Sequence, residues 1–112
     1  MKRYLRAKLH NATVTGKELF YSGSIQLDPD LMDAVGFEPY EIVLVINLAN
    51  AHRFETYINP GKRGSREVIL QGGTARLGEV GDKLIIMSFV WAEALPDKPK
   101  VVFLGEGNRI EQ

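Results

Sequence analysis

The chain has 112 residues, 45% of them hydrophobic, and 14 basic side chains balance 14 acidic ones. This length and composition predict one folded domain over residues 1–112. The near-zero net charge gives no general attraction to nucleic acid or to an anionic membrane, and it does little to oppose self-association. Cysteine is absent, which excludes disulfides and thiolate chemistry, and no apolar run has the length of a signal peptide core or a membrane span, so the expected compartment is the cytoplasm.

The first predicted strand covers Leu5 to Leu9, where apolar residues alternate with charged or polar ones. The alternation changes phase at Asn11, which predicts a bulge there. Lys8 and His10 leave this strand on one face, and, taken alone, the pair is better explained by a solvated strand edge than by a binding site. Thr15-Gly16-Lys17 is predicted to be a turn.

The next strand is predicted over Leu19 to Leu27, with Gly23 and Ser24 at its middle. Gly23 supplies an unshielded carbonyl, and the Ser24 hydroxyl can swing back onto it. Such an attack would convert the amide to an ester, and elimination across Ser24 would break the chain and leave a dehydroalanine that hydrolyses to a pyruvoyl group. Gly-Ser pairs are usually turns or bends, so the dipeptide alone does not establish self-cleavage.

A short helix is predicted after this strand. Asp28 can cap it, Pro29 fits its first turn and Gly36 ends it. Its buried stripe is expected to be Leu31, Met32 and Val35. The following run from Ile42 to Ile46 is apolar on both faces, which predicts a central strand that is covered on both sides.

Arg53 to Ile58 is predicted to be a strand, with Arg53 and Tyr57 on one face and Thr56 on the other. Before other evidence is considered, a salt-bridged surface explains the first face better than a binding site does. The rest of the chain is predicted to contain a cationic loop over 59–66, strands over 67–70, 83–91 and 100–104, a helical turn over 75–80, and a mobile polar tail from 105 onward. The adjacent Gly72 and Gly73 would let a backbone approach a ligand or another chain.

Many short strands with frequent turns and one or two short helices indicate a mainly β protein, as a closed or nearly closed barrel. His10 and His52 belong to no recognised metal spacing, so no metal site is expected. Periodicity and spacing alone indicate no reaction.

Six segments occur in the order and spacing of the aspartate 1-decarboxylase family, which the chain resembles from about Tyr4 to Ile110. The segments are Lys8-Leu9-His10, Tyr21-Ser22-Gly23-Ser24-Ile25, Arg53-Phe54-Glu55-Thr56-Tyr57, Arg63-Gly64-Ser65-Arg66, Val80-Gly81-Asp82 and Pro99-Lys100-Val101-Val102-Phe103. The resemblance implies a six-stranded double-psi β-barrel, a homotetramer with active sites between subunits, and autocatalytic cleavage into residues 1–23 and 24–112. It also implies pyruvoyl-dependent decarboxylation of L-aspartate to β-alanine for pantothenate synthesis.

The resemblance also implies roles for individual residues. Ser24 would become the covalent pyruvoyl cofactor, whose ketone takes the aspartate amine as a Schiff base. Arg53 would bind the substrate carboxylate, and Tyr57 would reprotonate the decarboxylated adduct. Thr56 would hold the carbonyl beside the cleavage site and contact substrate. Because neighbours on a strand face opposite ways, Thr56 and Tyr57 would belong to the active sites of different subunits. The remaining pocket residues would be Lys8, His10, Tyr21, Gly72, Gly73 and Thr74.

The chain departs from the family pattern at two places. The family commonly has Asn-Gly-Ala-Ala where this chain has Gln71-Gly72-Gly73-Thr74, so Gln71 keeps the amide but carries it one methylene further. This change bears on processing and on the geometry of substrate binding. The position of Ile46 is often aromatic in the family, which indicates a packing change.

Two other functions remain open from the sequence. One is a catalytically silent barrel that serves as a binding or regulatory module. Retention of Ser24, Arg53, Thr56 and Tyr57 together argues against it. The other is a pyruvoyl enzyme that acts on another amino acid such as glutamate, because Arg53 requires only a carboxylate.

Overall fold

Nine β-strands and one short α-helix form the part of the chain that the computed structural model describes, residues 1–111. The strands are β1 (Lys2–Thr13), β2 (Gly16–Glu18), β3 (Ser24–Leu27), β4 (Ile42–Asn47), β5 (Arg53–Pro60), β6 (Val68–Gln71), β7 (Lys83–Ala92), β8 (Lys100–Leu104) and β9 (Ile110–Glu111). The helix is α1 (Pro29–Val35), and 3₁₀ turns occupy Gly72–Arg76 and Glu106–Asn108. The mainly β class is confirmed, with nine strands where six were expected, partly because the short segments β2 and β9 also pair.

The strands are hydrogen-bonded in the order β2-β6-β3-β5-β4-β7-β1-β8-β9. Three of the pairs are parallel, namely β1 with β8, β2 with β6, and β3 with β5. Among residues 1–111 the order ends at β2 and β9, which do not pair with each other. Closure into a double-psi barrel therefore stays a prediction. No helix in the described range is long and apolar enough to span a bilayer.

The buried apolar side chains lie on one face of the strands, as the period of two requires. Ile25, Ile58 and Leu70 meet across β3, β5 and β6 and are fully buried. Val43 is also fully buried, but Ile42 next to it on β4 is 59% exposed. The prediction that β4 is covered on both sides is therefore wrong within a single chain. We call the uncovered side of the sheet the outer face.

Two local predictions near the N-terminus have different outcomes. The bulge at Asn11 is confirmed, because the register with β7 shifts between His10 and Ala12 and Asn11 has a φ of 68°. The predicted turn at Thr15-Gly16-Lys17 is wrong in part, because Gly16–Glu18 forms β2. This strand pairs in parallel with Ile69–Gln71, a contact that local sequence does not reveal.

The predicted strand over Leu19 to Leu27 is wrong in its first half, because β3 begins only at Ser24. Residues 19–23 form a series of bends. Gly23 has a φ of 36°, a left-handed value that favours glycine, and its N–H donates to Tyr21 O at 3.0 Å. The bond between Gly23 and Ser24 therefore lies where an irregular segment enters a strand.

The predicted mobile tail is also wrong for residues 105–111, and residue 112 lies outside the described residues. Asn108 is 1% exposed, and its side chain connects three parts of the chain. Its Nδ2 donates to Thr13 O and to Arg66 O, each at 3.0 Å, and its Oδ1 accepts from Thr13 N at 2.8 Å. The predicted helical turn over 75–80 lies earlier, at Gly72–Arg76.

The helix prediction is confirmed at both ends. Asp28 is the N-cap, Pro29 opens the helix, and Gly36 ends it in a left-handed conformation with a φ of 84°. Asp28 is 1% exposed. Its carboxylate accepts N–H bonds from Asp30 and Gly64 through Oδ1, at 2.8 and 2.9 Å, and from Arg66 through Oδ2, at 2.8 Å. The Asp28 carboxylate thus fixes the cationic loop to the start of α1.

Replacing Asp28 by asparagine is expected to destabilise the fold by about 1–3 kcal/mol at pH 7, because one of the two acceptor oxygens becomes an NH₂ donor that faces another donor. Burial acts to raise the pKa of Asp28, but the N–H groups of Asp30, Arg66 and Gly64 and the charge of Arg63 together lower it. The contribution is therefore present above the ordinary carboxyl pKa of about 3.9 and is lost as the pH falls towards the lowered value.

Denaturant unfolding at pH 7 and at pH 3 measures this effect. The stability of the variant and the original chain should converge at the lower pH. Asp33→Asn is the matched control, because Asp33 is exposed and pairs only with Arg63 at the surface. Equal stability of the original chain and Asp28→Asn at pH 7 would contradict this account of the cap.

Candidate active site

Ser24 opens β3 and points to the outer face, yet it is 0% exposed. It pairs with Gln71 across the antiparallel β3–β6 ladder. Its Oγ donates a hydrogen bond to Gln71 Oε1 at 2.6 Å. The hydroxyl is therefore held in one direction and is shielded from water in the uncut chain.

Gly72 lies directly against the segment that precedes Ser24. Its φ is 69°, and a Cβ built on it would lie 2.6 Å from Tyr21 O and closer still to Gly23 N. Only glycine allows this approach and this conformation together. The backbone of residues 21–23 therefore lies directly against Gly72, beside the Gly23–Ser24 bond. Gly73, by contrast, is exposed, and a Cβ on it would meet nothing within 4 Å.

Two hydroxyl groups bond to the backbone on either side of the Gly23–Ser24 bond. Tyr57 Oη donates to Ser22 O at 2.9 Å. Thr74 Oγ1 lies 3.0 Å from Ser24 O and 2.9 Å from Gln71 O, so its single proton is shared between two carbonyls. The structure therefore brings together Tyr21, Gly23, Ser24, Tyr57, Gly72 and Thr74 from the predicted set.

A network of three side-chain amides completes the site. Gln71 Nε2 donates to Gln26 Oε1 at 2.6 Å, and Asn59 Nδ2 donates to Gln71 Oε1 at 3.3 Å. Sequence reasoning missed Gln26 and Asn59. The strand period places Gln26 on the face of Ser24, which is a usable signal, but Asn59 is brought beside Gln26 only by the parallel β3–β5 pairing.

Arg53, Lys8 and His10 lie elsewhere on the outer face. Arg53 is opposite Ile46, Ile46 opposite Ile85, and Ile85 opposite His10, in one row across β5, β4, β7 and β1. Three strand spacings of about 4.8 Å separate Arg53 from His10, or about 14 Å in a flat sheet. Within residues 1–111, no hydrogen bond or ion pair connects Arg53, His10 or Lys8 to Ser24.

Thr56 lies on the opposite face of β5 from Tyr57, as the strand period predicts, since it is paired with the fully buried Val43. In the described chain its side chain makes no hydrogen bond to residues 21–24. Its predicted role at the carbonyl beside the cleavage site stays a prediction.

Two features of its surroundings lower the pKa of His10. Burial lowers its pKa below the usual 6.5, and the nearby positive charge of Lys8 lowers it further. Its ring packs against Phe103, with centroids 4.9 Å apart, and its Nδ1 is buried without a partner among the described residues. The lowered pKa of His10 thus favours the uncharged form of an imidazole that lies near the Lys8 cation.

The arrangement around Ser24 suits a reaction of the backbone. A buried hydroxyl lies next to a peptide bond whose flanking carbonyls are bonded to Tyr57 and Thr74. Ser24 is 0% exposed, and Gln71 and Thr74 contact it, so a substrate in solution cannot reach it in this conformation. These contacts are compatible with a reaction between the Ser24 hydroxyl and the neighbouring backbone.

Comparisons with known proteins agree over the whole chain. The family model described as aspartate decarboxylase matches residues 1–111. An aspartate 1-decarboxylase of Thermotoga sp. (strain RQ2) is 53% identical over 109 residues, covering 97% of this chain and 95% of the relative. One from Bacillus subtilis (strain 168) is 50% identical over 111 residues, covering 96% and 87%. One from Ralstonia nicotianae is 49% identical over 114 residues, covering 99% and 95%.

Proposed function

The chain belongs to the aspartate decarboxylase family, and we propose that it is a lyase that converts L-aspartate to β-alanine and CO₂ by means of a pyruvoyl group made from its own Ser24. The observation that carries the proposal is the Ser24 hydroxyl, which is buried and bonded to Gln71 in the residue that directly follows Gly23. The product β-alanine would serve pantothenate synthesis, and the expected cytoplasmic location is part of the same proposal.

Self-cleavage would proceed by attack of Ser24 Oγ on the Gly23 carbonyl carbon. The bond from that carbon to Ser24 N breaks, the nitrogen takes up the hydroxyl proton, and an ester forms. Loss of the Ser24 Cα proton then breaks the Cβ–Oγ bond, so that the oxygen leaves in the Gly23 carboxylate. The dehydroalanine that remains adds water and releases ammonia, which leaves a ketone at residue 24.

The residues around Ser24 fit a pyruvoyl group at that position. Gly72 makes room for the preceding segment, Gln71 has an amide at the serine oxygen, and Thr74 Oγ1 lies at Ser24 O. When present, the group accepts electrons from an amine-linked substrate that loses CO₂. The new chain end at Gly23 would be free to move, which gives aspartate a path to a position that is closed in the uncut chain.

Arg53 and Tyr57 supply what the substrate needs beyond the ketone. The Arg53 guanidinium is exposed on the outer face and can donate two parallel hydrogen bonds to a carboxylate. Tyr57 Oη donates to the carbonyl of Ser22, which precedes the cleavage site by one residue. From there its hydroxyl can deliver a proton to the substrate carbon that loses CO₂.

The wide separation of the proposed substrate residues on one chain supports the proposed homotetramer, in which sites would be shared between subunits. Arg53 and Tyr57 lie on the same face of β5, but four residues, or about 13 Å, apart along the strand. Lys8 and His10 are two strands beyond β4. Half-exposed apolar residues lie between these groups, namely Leu44, Ile46, Ile85 and Met87. A second copy packed on this face would cover these residues and could bring its own Lys8, His10 or Arg53 to the Ser24 of its neighbour.

Turnover assays with aspartate and glutamate test the proposed activity. The cleaved protein is expected to form β-alanine from aspartate, and to act on glutamate at least about tenfold more slowly, because one extra methylene misplaces the carbon that loses CO₂. Preferential formation of 4-aminobutyrate from glutamate would replace the proposed substrate. A fully cleaved protein that turns over neither amino acid would favour the silent binding module.

A further inference from the structure

The three amides beside Ser24 form one directed chain of hydrogen bonds. Asn59 Nδ2 and Ser24 Oγ both donate to Gln71 Oε1, at 3.3 and 2.6 Å, and Gln71 Nε2 donates to Gln26 Oε1, at 2.6 Å. Gln71 is 2% exposed, so no bulk water competes for its amide. The two ends of the Gln71 amide therefore have different partners, and the partners determine which end faces Ser24.

Reversing the Gln71 amide alone, with Gln26 and Asn59 as they stand, would break this pattern. Its NH₂ group would then face the NH₂ group of Asn59, and its oxygen would face the oxygen of Gln26. Both contacts bring like partial charges together in a buried place, where unpaired polar groups are costly. Gln26 and Asn59 thus hold the Gln71 oxygen towards Ser24 Oγ.

The Gln26 side chain packs closely against the backbone of Gly61. A Cβ built on Gly61 would lie 2.5 Å from Gln26 Nε2 and 2.9 Å from Gln26 Cγ. The Gln26 side chain therefore occupies space that a larger residue at 61 would fill. With its NH₂ group against Gly61, Gln26 presents its oxygen to Gln71.

We propose that Gln26 is a positioning residue for self-cleavage, which acts by fixing the direction of the Gln71 amide and through it the Ser24 hydroxyl. The inference rests on the proposed self-cleavage at Ser24. An amide oxygen is too weak a base to remove the hydroxyl proton, so Gln71 only orients Oγ. Orientation of a nucleophile beside its carbonyl raises the rate by limiting the search for the reactive geometry. The proton passes to Ser24 N, as the balanced reaction requires.

Cleavage rates of a pair of variants and their double variant test this. Freshly purified uncut chain is incubated at constant temperature, and the uncut fraction is followed by denaturing mass spectrometry. Gln26→Met removes the acceptor at nearly constant size and should slow cleavage about three- to tenfold, the equivalent of one lost hydrogen bond. Gln71→Met should slow it by at least as much. Adding Gln26→Met to Gln71→Met should then have no further effect, because Gln26 acts through Gln71.

Two changes of amide to acid separate this role from packing. Gln26→Glu keeps an acceptor for Gln71 Nε2 and should restore most of the rate that Gln26→Met loses. Asn59→Asp replaces a donor by an acceptor against the Gln71 oxygen and should slow cleavage, although it is equally conservative in size. Thermal melting of each uncut variant identifies any that fail to fold.

Three results would overturn the inference. Unchanged cleavage in a folded Gln26→Met variant would do so, and so would additive effects of Gln26→Met and Gln71→Met. Equal rates for Gln26→Glu and Asn59→Asp would show that the direction of the network is irrelevant. If the unsubstituted chain never cleaves, the proposed function fails together with the inference. If it cleaves while the Gln26 variants behave alike, only the inference fails.

Discussion

A Ser24→Ala variant is expected to fold, to remain a single chain and to have no decarboxylase activity. The substitution removes the only atom that can attack the Gly23 carbonyl, and with it the source of the ketone. The structural cost is small, since the variant loses one hydrogen bond from Oγ to Gln71 Oε1, worth about 1 kcal/mol, while that oxygen still accepts from Asn59. The loss of activity should therefore be complete without loss of the fold.

Circular dichroism, thermal melting and intact mass, measured beside a β-alanine assay, check this result. Ser22→Ala is the matched control, because Ser22 is exposed and its backbone carbonyl, which accepts from Tyr57, is unchanged. That variant should still cleave at Gly23. Measurable turnover by a folded, uncut Ser24→Ala protein would exclude a pyruvoyl mechanism altogether.

Tyr57→Phe is expected to lower turnover per cleaved subunit by about 10²–10⁴-fold, the usual cost of losing a positioned general acid. The ring and its packing remain, and only the hydroxyl is lost. Because Tyr57 Oη also donates to Ser22 O, the variant should cleave more slowly, by no more than about tenfold. Turnover should thus fall much further than cleavage.

The measurement separates the two effects by dividing β-alanine formation by the cleaved fraction from mass spectrometry. The comparison variant is Thr56→Ala, which changes the neighbouring residue on the opposite face of the strand. The family resemblance assigns the Thr56 hydroxyl to the cleavage step, so this variant should cleave more slowly. Normal turnover by cleaved Tyr57→Phe would remove Tyr57 from the proton-transfer step.

Local sequence predicted those elements whose determinants are neighbours in the chain. The helix cap at Asp28 and the left-handed end at Gly36 depend on residues within one turn, and both were predicted correctly. The short strand Gly16–Glu18 depends on pairing with Ile69–Gln71, more than fifty residues further along the chain. The ordered Asn108 depends on a bond to Thr13, 95 residues earlier. Such pairing is not visible in periodicity, so these segments appeared to be a turn and a mobile tail.

The candidate site divides in the same way. Similarity of ordered segments suggested Ser24 and Tyr57, and the structure places Tyr57 Oη 2.9 Å from Ser22 O, two residues before Ser24. The amides of Gln26 and Asn59 were missed, since they join Ser24 only through the pairing of three strands. At Ile42 the sequence pattern predicted too much burial. The apolar strand indicated that both of its faces are covered, but within one chain only one face is.

Denaturing mass spectrometry of the purified protein tests the central claim most directly. The account predicts two fragments, residues 1–23 with a free carboxylate at Gly23, and residues 24–112 with a ketone in place of the amine at residue 24. The second fragment should resist amine-specific labelling and should gain two hydrogens on treatment with borohydride. A chain that stays intact after prolonged warming, or a second fragment with an unmodified serine amine, would contradict the account.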